Sequence, residues 1–161
     1  MGRLLLAVCV VSVVACKKDE VLSRAYVGTA QERARVQVDT SPRGPDGRGT
    51  VQWWNTDRPR GNVRVTVTPV AGDDRRYRVA LPGCTVEVQM DPAPNDRHGQ
   101  LVLSPQPVCE LDVDHYRGPM RVGGSVDVDP NTRALRVTVM GNNNQPSPHV
   151  EWSLTYDGRP E

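Results

Sequence analysis

Val150-Glu151-Trp152-Ser153-Leu154-Thr155-Tyr156 sets a large apolar side chain at every second position and a polar one between each pair. Period two is the repeat of a strand with one face buried and one wet, and Val, Trp, Thr and Tyr suit a pleated surface. The same alternation recurs upstream. Leu135, Val137 and Val139 are set against Arg136 and Thr138, and Val126 and Val128 against Asp127 and Asp129. Val86, Val88 and Met90, then Tyr77, Val79 and Leu81, then Val63, Val65 and Val67 repeat it. Weaker candidates are 34–38, 50–55, 101–103 and 108–114. No window after residue 25 sustains the i, i+3, i+4, i+7 stripe of a helix. The chain reads as all-β, with nine or ten short strands.

The punctuation suits antiparallel hairpins. Leu81-Pro82-Gly83-Cys84 and Asp129-Pro130-Asn131-Thr132 put turn residues between alternating runs, where Pro pre-sets φ and Asn tolerates unusual backbone angles. Longer loops are expected at 41–49, 91–99 and 141–148, and Asn55 to Arg60 reads as a polar loop. One wet and one buried face fits an up-and-down barrel or a β-sandwich. Frequent short connections favour a single antiparallel meander β-barrel, with the sandwich as the alternative. Tyr26-x-Gly28, before the first strand, is similar to the opening of calycin-like barrels, which implies the same closed meander.

Composition bounds the rest. The 161 residues are about one domain's worth. Twenty Lys and Arg against nineteen Asp and Glu give a formal charge of +1, so the basic stripe of a nucleic-acid binder is missing. Seven aromatic residues and no Phe argue against an aromatic-rich cofactor pocket, and no cofactor is expected.

The N-terminus carries an address. Arg3 precedes the apolar run Leu4 to Val14, the length of a signal-peptide core and too short to cross a bilayer as a helix. Val13-Val14-Ala15-Cys16 resembles the lipobox of bacterial lipoproteins, with Val13 where Leu is common. The resemblance implies that residues 1–15 are removed as a lipoprotein signal peptide and that Cys16 is lipidated. Lys17, where that family places Asp for inner-membrane retention, implies the outer membrane of a Gram-negative cell. Residues 16–25 then form a lipidated, polar tether and 26–161 one all-β domain. Loss of Arg3 leaves nineteen basic against nineteen acidic side chains, so the membrane partner is held by acyl chains, not by charge.

Of the four cysteines, Cys9 leaves with the signal and Cys16 takes lipid, which leaves Cys84 and Cys109 in an oxidising compartment. Cys84 shares the phase of Val86 and Val88, and Cys109 that of Leu111 and Val113, so both point to the apolar side. A bridge is expected; a metal site is the rival, without a C-x-x-C or a nearby His pair.

Chemistry is sparse. Gly123-Gly124-Ser125-Val126-Asp127 fails the G-x-S-x-G pattern, and P-loop, G-x-G-x-x-G and H-E-x-x-H are missing from the sequence. A hydrolase would need His98, His115 or His149 to meet a carboxylate and a nucleophile in one cleft. Glu110, Asp112 and Asp114 share a strand face, but same-face residues about 6.8 Å apart do not wrap an ion. Asp127-x-Asp129-x-Asn131 starts like an EF-hand loop, then has Thr132 where Gly belongs and Thr138 where Glu belongs. No metal site is expected.

Trp53-Trp54 is the suggestive pair. One ring should point in and the other out, and a Trp at the barrel lip beside Arg58 and Arg60 could hold a ligand or touch a partner, or simply cover the core. Three readings follow. The first is a non-catalytic, lipid-anchored envelope module acting on an unknown envelope partner. The second is a barrel carrier of a small apolar ligand, and the third an unrecognised hydrolase. A wide lumen favours the carrier; a filled core with Trp54 exposed favours protein contact.

Overall fold

The computed structural model describes residues 22, 24–41, 49–92 and 97–161. The signal peptide 1–15, the lipidated Cys16 and most of the tether lie outside the described residues. Nine strands run through those described: β1 (Arg24–Asp39), β2 (Val51–Val70), β3 (Asp73–Leu81), β4 (Cys84–Met90), β5 (His98–Leu101), β6 (Val108–Val113), β7 (Tyr116–Val128), β8 (Leu135–Asn142) and β9 (His149–Pro160). Every pairing is antiparallel. The order β5-β4-β3-β2-β1-β9-β8-β7 closes on itself through β5 against β7. This closed eight-stranded meander is a calycin-like barrel and not a sandwich.

The alternating apolar residues face inward. Val65, Val79, Val86, Val88, Val126, Val137, Val139, Val150 and Leu154 are buried in one contiguous core. Tyr26, Tyr156, Met90, Met120 and Leu135 are among its largest fully buried side chains, with Trp152 and Tyr77 nearly so, and Leu22, just ahead of β1, is fully buried with them. Burial raises the Tyr26 phenol above its ordinary range and pushes that of Tyr156 up to about 12. Gly28 lets β1 and β9 approach closely: a Cβ there would stand 1.9 Å from the Asp157 carbonyl oxygen.

The expected polar loop at Asn55 to Arg60 is instead part of the continuous β2. Gly28 pairs with Val63 and Ala30 with Arg60, so Gly61 and Asn62 together oppose Thr29, and Asn62 takes φ +54°. Such a bulge adds one residue to one strand and reverses its phase. Odd residues of β2 face inward after it (Val63, Val65, Val67), and even ones before it (Trp54, Thr56). The inward set before the bulge is partly polar, which made this half of the strand resemble a loop. His98 and Gly99 likewise belong to β5 and not to the preceding loop.

Before the bulge β2 pairs only with β1, because β3 joins it at Thr66. On the far side of that free edge lies β6, which pairs with the first half of β7 as a hairpin outside the ring. Side chains close the seam. The Thr56 hydroxyl donates to Asp114 at 3.1 Å, and Arg58 donates to the Asp112 carbonyl at 2.9 Å and lies 3.4 Å from the Asp114 carboxylate. Trp54 stacks on His115 with ring centroids 3.9 Å apart. The Cys84–Cys109 disulfide, both cysteines buried, ties the β6 arm to the start of β4.

Candidate binding cleft

Each buried residue of a strand leaves its neighbours facing out, and the register aligns those neighbours across five strands. One row runs Asn55, Arg35, Glu151, Asn142, with Arg121 beside it on β7; the next runs Asp57, Arg33, Ser153, Met140, Gly123. Five strands spaced about 4.8 Å apart make a floor roughly 19 Å wide. Gly123 and Ser153 keep its middle low, and two connections rise beside it. The β8–β9 loop is braced by Asn143, whose amide donates to the Pro148 carbonyl at 2.6 Å and whose carbonyl oxygen accepts from the amides of Gln145 and Val150. Ser147 in the same loop accepts from the Asp39 amide at 3.2 Å. Gln106 comes from the β5–β6 connection. Together they enclose an open cleft of about 1270 Å³.

The cleft is polar and weakly cationic. Arg33 lies 3.7 Å from Asp57, which also accepts from the Gln31 amide at 2.6 Å. The Arg35 guanidinium carbon lies over the Trp53 ring, 3.8 Å from its centroid, a cation–π contact. Among the described residues neither Arg35 nor Arg121 has a carboxylate within ion-pair distance. His149 Nε2 is 3.7 Å from Glu151. The loop amides Asn142, Asn144 and Gln145 supply both donors and acceptors.

The four residues singled out around the tryptophan pair do not form one site. Trp54 points inward, half-buried against His115, and Arg58 holds the β6–β7 turn. Arg60 reaches Glu32 at 2.8 Å, and Glu32 also accepts from the Trp152 indole at 3.1 Å. Trp53 is the outer ring, under Arg35 at the edge of the cleft. The three histidines lie apart: His98 hydrogen-bonds Asp127 at 2.7 Å, His115 stacks on Trp54, and His149 faces Glu151. Asp112 pairs with Arg117 across the β6–β7 hairpin, and among the described residues no cluster of His, Cys, Asp or Glu is arranged to hold a metal. Sequence reasoning missed Arg33, Arg35, Arg121 and the 142–145 loop, because exposed polar residues on separate strands carry no mutual signal until a register aligns them. No protein-family model, no curated protein and no solved structure matches this chain.

Proposed function

We propose that the chain is a non-catalytic binding module of a Gram-negative cell envelope, held at the outer membrane by acyl chains on Cys16, which takes its partner on the outer cleft. The observation that carries this reading is the contrast between the two faces of the barrel wall. The inner face is occupied by Tyr26, Tyr156, Met90, Met120 and Leu135, whereas the outer face offers an open polar cleft of about 1270 Å³. A carrier of an apolar ligand needs the opposite: a vacant, apolar lumen.

The test uses the full chain expressed in a Gram-negative host. Wild type is expected in the outer-membrane fraction with an acylated N-terminus at residue 16, and Cys16→Ser in the soluble fraction. The purified protein is then exposed to envelope lipid extract and weighed by native mass spectrometry. A bare lipoprotein mass agrees with the reading. A lipid adduct that organic extraction removes, and that cleft substitutions leave in place, overturns it in favour of the carrier.

A further inference from the structure

We infer that the cleft binds an acidic polysaccharide chain; this rests on the reading of the cleft as the binding surface. Three observations define the occupant. Recognition must come from side chains, because β1, β9 and β8 in the floor each pair on both sides. Their backbone groups are consumed by the ladders, so an extended peptide has no main chain to pair with there, and the free edge of β2 before the bulge is bridged to the β6–β7 turn by Thr56 and Arg58. The donors suit hydroxyls and carboxylates. Asn55, Asn142, Asn144 and Gln145 pair donor with acceptor as vicinal hydroxyls require, while Arg35 and Arg121, without carboxylate partners among the described residues, present the planar fork that binds carboxylate in two-point fashion. The dimensions suit a chain. At about 1270 Å³ the cleft exceeds the roughly 300–1,000 Å³ of small-molecule pockets, and its floor of roughly 19 Å is open.

Apolar surface is present but scattered: Met140 stands on the floor, Leu103 lies beside Gly123, and Trp53 lies under Arg35 at the edge, which suits the carbon faces of separate sugar rings. The backbone of the β8–β9 loop is braced by Asn143 and tied to Asp39 through Ser147, so the loop itself loses little freedom on binding.

The experiment is calorimetric titration of the full, lipidated protein in neutral detergent. The probes are hexagalacturonate, the neutral maltohexaose and a hexaglutamate peptide. Hexagalacturonate is expected to bind, more weakly as salt rises. Arg121→Gln and Arg35→Gln should each weaken it about tenfold or more, the loss of one charge-assisted hydrogen bond. Arg64→Gln, which removes an exposed guanidinium paired with Glu161 away from the cleft, should bind as wild type. Maltohexaose binding as well as hexagalacturonate refutes the acidic class while leaving the cleft as the site. Tighter binding of hexaglutamate refutes the polysaccharide in favour of a peptide, and no binding of hexagalacturonate refutes the ligand class outright. Hexagalacturonate affinity that is indifferent to both arginine substitutions refutes the cleft itself, and with it the proposed function.

Discussion

Replacing Glu32 with leucine isolates the one buried carboxylate among the described residues. Glu32 is 8% exposed and faces inward from β1, where it accepts from the Trp152 indole at 3.1 Å and from Arg60 at 2.8 Å. The two bonds are unequal. The Arg60 side chain is 45% exposed and can turn to water, so its share is about 0–1 kcal/mol. Trp152 is buried, and without Glu32 its N–H loses its partner at a cost of about 1–3 kcal/mol. Glu32→Leu should therefore lose about 2 kcal/mol, or roughly 7 °C in Tm for a domain of about 140 residues. Glu32→Gln keeps an acceptor for the indole and should lose about 1 kcal/mol or less. The double variant Glu32→Leu/Trp152→Phe removes donor and acceptor together, so it should be more stable than the sum of the single losses by about 1 kcal/mol. Urea unfolding followed by far-ultraviolet circular dichroism reads wild type, Glu32→Leu, Glu32→Gln, Trp152→Phe and the double variant without depending on tryptophan fluorescence. A Glu32→Leu midpoint equal to wild type, or losses that simply add in the double variant, would refute the assignment of the indole bond as the dominant one.

Three further outcomes are expected. Opening the disulfide with Cys84→Ser/Cys109→Ser frees a loop of sequence separation 25, and chain entropy sets the loss near 3.5 kcal/mol; urea midpoints with and without reductant check it, and a loss below about 1 kcal/mol contradicts it. Burial holds the neutral forms of Tyr26 and Tyr156, the latter up to about 12. A raised folded-state pKa contributes stability in full below the unfolded value near 10 and loses it as pH climbs towards 12. Thermal melts across that window should fall steeply for wild type and less for Tyr156→Phe; parallel curves would count against this account. Gly28→Ala places a methyl group 1.9 Å from the Asp157 carbonyl oxygen, so β1 and β9 must separate, at a cost of about 2–3 kcal/mol readable as a lowered Tm.

Strand phase needed no tertiary information. Val150 to Tyr156, Leu135 to Val139 and Val86 to Met90 each have one hydrophobic face, and only a strand can bury it. That parity placed Cys84 and Cys109 on the same side, and the fold joins them. Closure was left open by alternation alone, because sandwich and barrel satisfy it equally, and the short connections favoured the barrel that the fold adopts. It was decided by three residues of β5, His98 to Gln100, meeting Ser125 to Asp127 of β7. The phase reversal at Gly61-Asn62 was hidden for a related reason. A bulge is defined against the partner strand, and only Thr29 opposite two residues reveals it. It turned Trp54 inward to stack on His115 and set Arg60 against Glu32, so residues that read as a possible contact surface serve to close the seam. The cleft lay furthest from view. Arg33 and Arg35 on β1, Arg121 on β7 and Asn142 on β8 are scattered along the chain, and local patterning carries no information on which outward residues meet. Covalent neighbours determine which face a side chain takes; the register between distant strands determines its company.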